Sequence, residues 1–153
     1  MAAGVATAEQ SAETRAFASA DEMRDVLTHL LSEIDADSDL GRRLRSAHIS
    51  YRYVFPDLDL ALNISSSDEP GHCVRWSFAD QAEWDPALTL EMSSEVANRY
   101  LQGRENLAIA MARGRIRCSC EASAALSLLP ISSQLNACYR EVLERHYPHL
   151  LLR

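Results

Sequence analysis

From Ile49 to Met92 the apolar residues return at every second position. Ile49, Tyr51, Tyr53 and Phe55 alternate with Ser50, Arg52 and Val54, and Leu58, Leu60, Leu62 and Ile64 with Asp59, Ala61 and Asn63. Val74, Trp76 and Phe78 then alternate with Arg75 and Ser77, and Leu88, Leu90 and Met92 with Thr89 and Glu91. A period of two places alternate side chains on one face of an extended chain. The spacing therefore predicts four strands, each with an apolar face and a wet face, following one another as an antiparallel meander. Pro56 has no N–H to give a ladder and separates the first two. Asp68, Pro70 and Gly71 mark one loop and Trp84-Asp85-Pro86 another. A sheet with one apolar face needs a cover.

Helical patterns supply it. Ser94 is expected to cap a helix carrying Val96, Ala97, Tyr100 and Leu101 on one side and ending at Gly103. A second runs through Leu107, Ala110 and Met111 to Gly114. Ile116, Cys118 and Cys120 then alternate with Arg115, Arg117 and Ser119 as a fifth strand. Leu126 and Leu129 lead to Pro130 and a last helix, with Leu135, Cys138, Tyr139, Val142 and Leu143 facing inward. Ahead of the sheet, Ser19 and Glu22 form an S-x-x-E capping box. Met23, Val26, Leu27, Leu30, Leu31 and Ile34 follow it as a helical stripe. A short helix from Asp39 turns Leu40 and Leu44 inward despite Gly41. Residues 1–18, rich in Ala, Ser, Thr and Glu, read as a mobile tail. Residues 19–153 read as a single α+β domain.

Charge and residue usage narrow the function. The net charge of −7 disfavours nucleic acid and anionic membrane as partners. All 15 basic residues are arginine, so lysine Schiff-base chemistry and lysine-gated phosphate sites are excluded. The first eighteen residues lack a basic region followed by an apolar run, and no stretch is long enough to span a bilayer. A cytoplasmic protein with reduced thiols at Cys73, Cys118, Cys120 and Cys138 is expected. Asn63-Ile64-Ser65 matches a glycosylation sequon, which has no role without secretion.

No catalytic constellation emerges. Cys118-x-Cys120 lacks the second ligand pair a zinc site requires. His146 and His149 flank a helix end, where the dipole favours them. His29, His48 and His72 have no partner spacing. Asp57 and Asp59 share a predicted strand face, and Asp68/Glu69 and Glu83/Asp85 lie in loops, where solvated carboxylates are the ordinary case. Arg113, Arg115 and Arg117 read as a strand-face ladder paired with acids. No glycine pattern cradles a phosphate. Catalytic residues, metal and cofactor are all expected to be none.

What remains is an excess of apolar residues on facing surfaces. One further pattern bears on it. Trp84-Asp85-Pro86 through Leu88-Thr89-Leu90-Glu91-Met92-Ser93, then Tyr100-Leu101-Gln102-Gly103-Arg104-Glu105-Asn106-Leu107-Ala108-Ile109-Ala110 and Arg113-Gly114-Arg115-Ile116, resembles the sterol carrier protein 2 (SCP-2) domain family. The similarity runs from about Leu40 to Leu150 and is nearest to the small stand-alone bacterial members. It implies a five-stranded, mainly antiparallel sheet covered by about five helices and enclosing an apolar cavity for sterols, fatty acids or acyl chains. It further implies carriage without cofactor or catalytic residues. Where that family has a glycine after the last strand this chain has Cys120, a side chain that would narrow the cavity mouth.

On this reading the protein binds and carries a hydrophobic small molecule. Trp76, Phe78, Leu90, Met92, Tyr100, Leu101, Met111, Leu126, Leu135 and Tyr139 would line its pocket. An enzyme or accessory protein for a hydrophobic polyketide or lipid intermediate, using Cys120, Tyr139 or His146, is the alternative. A third is an interaction module, with a homodimer as one form of it.

Overall fold

The computed structural model describes residues 16–36, 39–79, 81, 84–119 and 129–152. Two helices, α1 (Ala20–Asp35) and α2 (Asp39–Ser46), precede β1 (Ser50–Phe55), a 3-10 turn (Pro56–Leu58), β2 (Leu60–Ser66), β3 (Val74–Ser77) and β4 (Leu88–Met92). Then come α3 (Ser94–Leu101), α4 (Leu107–Ala112), β5 (Ile116–Cys118), α5 (Leu129–His146) and a closing 3-10 turn (Pro148–Leu150).

Local chemistry sets the helix ends. Ser19 Oγ accepts from the Glu22 N–H at 3.1 Å, while Glu22 Oε1 reaches one residue further back than a capping box requires, to the Ala18 N–H at 2.8 Å. The whole predicted stripe of α1, from Met23 to Ile34, is buried, and Phe17 ahead of the helix joins the same core. The cap of α3 is Ser93 and not Ser94: Ser93 Oγ accepts from the Val96 N–H at 3.1 Å. Ser94 instead donates its N–H and hydroxyl to Asp57, at 2.8 and 2.5 Å. Asp57 thus sits in the 3-10 turn binding the start of α3, and Asp59 adopts a left-handed conformation beside it. The two do not share a strand face, because the strand resumes only at Leu60.

The sheet order is β3-β2-β1-β4-β5. The meander holds for β1, β2 and β3, but β4 lies on the far side of β1 and runs parallel to it. Alternation fixes which face a residue takes and says nothing of which strand lies beside it. The β3–β4 connection crosses the polar face, which is therefore not simply wet. Asn63 Nδ2 bonds the carbonyls of Ala79 and Gln81 at 3.4 and 3.5 Å, and Ser50 Oγ bonds that of Asp85 at 2.9 Å. Arg52 joins them through Asn63 Oδ1 at 2.7 Å. Asn63 is fully buried, so its sequon is closed to modification in the folded state.

Register gathers the other face. Tyr51 stands opposite Ile64 and Leu88, Tyr53 opposite Leu62 and Leu90, and Met92 opposite Ile116. The arginine ladder is broken up: Arg113 caps α4, Arg115 pairs with Glu105 at 2.6 Å, and Arg117 stands opposite Glu91.

A buried polar clamp ties the C-terminal segment to α3 and α5. Asn98 Nδ2 and Gln102 Nε2 donate to the Leu150 carbonyl at 3.1 and 3.0 Å, and Tyr139 Oη donates to Asn98 Oδ1 at 2.8 Å. Gln102 Oε1 accepts from the Leu152 N–H at 2.8 Å and from Arg140 at 3.1 Å. Satisfied polar groups of this kind specify one packing arrangement, because any alternative leaves a buried group unpaired.

Candidate functional site

The apolar face of the sheet and its helices line a partly open space of about 70 Å³. Tyr51, Tyr53 and Phe55 of β1 form its floor with Leu62, Ile64, Val74 and Met92 of the neighbouring strands. Leu27, Leu30, Leu31 and Ile34 of α1 and Leu44 of α2 wall one side, while Ala97, Tyr100 and Leu101 of α3 and Ile131 and Leu135 of α5 wall the other. Apart from the Met92 thioether, every one of these side chains is hydrocarbon or tyrosine. Tyr51, Tyr53, Ile64, Leu101, Ile131 and Leu135 keep partial exposure, so the space is not fully closed.

The void is narrow. About 150 Å³ accommodates a benzene molecule in an apolar core, and pockets for larger ligands run from about 300 Å³ upward. A ligand longer than a few carbon atoms has to part the helices.

Four of the expected lining residues meet at this void: Met92, Tyr100, Leu101 and Leu135. Leu90 is wholly buried beneath them in β4. Trp76 faces the same side at the edge strand, where it borders an open polar groove with Asp35, Asp68, Glu69 and His72. Phe78 lies just past β3, with the Arg24 guanidinium 5.7 Å from its ring centre. Met111 packs on the core from α4, and Tyr139 belongs to the polar clamp. Leu126 and Cys120 lie outside the described residues.

The largest omission was α1, since the cover was expected only from helices after Ser94. Its stripe was readable, but the stripe alone cannot say which surface it packs on. Tyr51 and Tyr53 were legible as strand residues; their place over the void depends on β1 being the middle strand.

The ionisable groups at the void are phenols. Burial pushes Tyr53 well above its ordinary value, with added repulsion from Tyr100 and Tyr51. Burial and then Tyr51 push Tyr100 up to about 12, and burial raises Tyr51. All three stay protonated and neutral near pH 7. Cys138, outside the void, is pushed up to about 11 by burial and by Glu33 and Glu141, which opposes thiolate chemistry.

Several histidines have partners that their spacing did not announce. His72 Nδ1 lies 2.6 Å from Asp35 Oδ2, and Asp35 Oδ1 also accepts from the N–H groups of Cys73 and Val74 at 2.7 and 3.1 Å. His149 reaches Glu22 at 2.9 Å, and His29 stacks on His146 with ring centres 4.7 Å apart. These contacts pin α1 to the β2–β3 loop and to the end of α5.

No family model matches the sequence, and no curated protein does. Solved structures do match it. A ubiquinone synthesis protein, UbiJ-SCP2, aligns with a TM-score of 0.54 at 14% identity, over 71% of this chain and 87% of that one. A conserved hypothetical protein of Thermus thermophilus, described as a candidate sterol carrier protein, aligns with a TM-score of 0.54 at 16% identity, over 74% and 82%. The fold is that of a sterol carrier protein 2 domain. A double mutant of the sec-alkyl sulfatase PisA1 carries a similar fold as a part: it aligns with a TM-score of 0.55 at 12% identity, over 70% of this chain but 16% of the sulfatase. Identities this low establish an SCP-2 architecture and leave function to the site itself.

Proposed function

We propose that this protein binds and carries a hydrophobic small molecule, such as a lipid, sterol-like or acyl compound, between the apolar face of its sheet and helices α1, α3 and α5. The observation that carries this reading is the composition of the void: its described lining is hydrocarbon, one thioether and tyrosine, with no carboxylate, imidazole or thiol. Such a wall suits desolvation of an apolar body and offers little acid–base chemistry at neutral pH. Met92, Tyr100, Leu101 and Leu135 would contact the ligand together with Tyr51, Tyr53 and the α1 stripe, and Trp76 would stand at the rim.

Magnitudes are compatible with carriage. Burying roughly 300 Å² of apolar ligand surface gains about 7 kcal/mol, near the scale of micromolar affinity before the cost of parting the helices. That opening cost keeps binding reversible, as a carrier requires. On this reading the protein works in the aqueous cytoplasm, shielding its cargo from water. No described helix is long and apolar enough to cross a membrane. The exposed large apolar residue among those described is Ile109, and so little exposed apolar surface favours internal binding over a docking module.

Native mass spectrometry after incubation with fatty acids and fatty alcohols tests the proposal. One-to-one adducts that disappear on unfolding are expected; a folded protein that takes up none of them would overturn it.

A further inference from the structure

The two halves of α5 are held in different ways. From Tyr139 onward the helix is fixed: Tyr139, Val142 and Leu143 are each 0% exposed, and Tyr139 bonds Asn98. Arg140 adds bonds to Gln102 Oε1 and to the Leu152 carbonyl, both at 3.1 Å. Over residues 131–138, about two helical turns, no side chain is buried. Yet this half supplies Ile131 and Leu135 to the wall of the apolar space. Segments with few buried contacts open first, while the rest of the fold stays intact. The α1 wall is different, since its whole stripe is buried.

The flanks of residues 131–138 are also lightly held. On one side Gln134 ties them to α2: its Nε2 donates to Asp39 Oδ2 at 2.7 Å, and its Oε1 accepts from Arg43. Both bonds are exposed to water, where a hydrogen bond holds a position without locking it. On the other side Ser132 and Asn136 border a cleft of about 380 Å³, together with Tyr100 and the turn from Gly103 to Asn106. Tyr100 lines both this cleft and the apolar space, so its ring and the adjoining turns of α5 lie between the two.

We propose that residues 131–138 form a gate over the apolar space, pivoting on the clamped half of α5 and latched to α2 by Gln134, with ligand entering beside Tyr100. The proposal rests on the carrier reading above and adds the path by which a ligand reaches a space too small to admit it in the closed form. Opening breaks the two exposed bonds of Gln134 and withdraws Ile131 and Leu135 from the wall. The buried bonds of Tyr139, Asn98 and Gln102 stay whole, so the fold is retained while the interior is exposed.

Stopped-flow uptake and release of an uncharged phenylnaphthylamine fluorophore, joined to amide hydrogen exchange of the ligand-free chain, tests the gate. Gln134→Ala removes the latch without touching the clamp. Both uptake and release are expected to quicken roughly two- to tenfold, the scale of one or two hydrogen bonds, while affinity stays within about twofold. Amides of residues 135–138 should exchange faster by a similar factor, with those of residues 142–145 unchanged. Arg145→Ala breaks exposed pairs of the clamped half with Glu33 and Glu141 and should alter neither rate. Unchanged rates in Gln134→Ala, equal quickening in Arg145→Ala, or faster exchange along the whole helix would each overturn the gate and leave the carrier reading standing. No uptake of the fluorophore by any form of the folded protein would overturn both.

Discussion

The pairing of Asp35 with His72 shows how much one side chain can decide. Burial pushes the Asp35 carboxyl up, but the bonds from His72, Cys73 and Val74 and the His72 charge outweigh it and hold the group below its ordinary 3.8. The bond to Asp35 and its charge raise His72 above 6.5, with a smaller contribution from Glu69. The pair's contribution to stability is complete between those two ordinary values. It is lost as pH rises through the raised His72 value or falls through the lowered Asp35 value. Asp35→Asn should return His72 toward 6.5 in an NMR titration; an unchanged midpoint would contradict the pairing. Gly41 is constrained by space, since a Cβ there would collide with the Ile34 carbonyl and press on Cys73. Gly41→Ala should cost about 1–3 kcal/mol in chemical denaturation. Propensity read this glycine as a mild objection to α2, when close packing is what requires it. Tyr139→Phe, which removes one bond of the polar clamp, should cost about 1 kcal/mol in the same assay.

Elements were legible where periodicity is strong. The α1 stripe, the alternation in β1, β2 and β4, and the glycines after α3 and α4, both at positive φ, could all be read from residue spacing. Partners of elements were not. The parallel pairing of β1 with β4 depends on the β3–β4 connection crossing the polar face, held by Asn63 and Arg52, and neither residue signals this in sequence. The α3 cap slipped by one residue because Ser93 and Ser94 are both capping residues, and only the position of Asp57 assigns their roles. Ser93→Ala should destabilise the fold by about 1 kcal/mol. Ser94→Ala should do so as well, by breaking the tie to the 3-10 turn, and a thermal melt of each variant compares them.

At the scale of the molecule, the interior was legible as an excess of apolar residues but not as a shape. Residue identity places Met92, Tyr100, Leu101 and Leu135 on inward faces, while the width of the space between them depends on how far α1 and α5 stand from the sheet. In this structure that space is about 70 Å³, so on the proposed carrier reading ligand entry would couple to helix displacement. A bound ligand should therefore raise the melting temperature and shift signals throughout the wall rather than at one spot. The most direct measurement is a methyl NMR titration of Leu-, Ile- and Val-labelled protein with decanol. The account predicts saturable shifts at Leu27, Leu30, Leu31, Ile34, Leu62, Ile64 and Leu135, with little change at Val142. Shifts confined to surface methyls such as Ile109, or none at all in the folded protein, would contradict it.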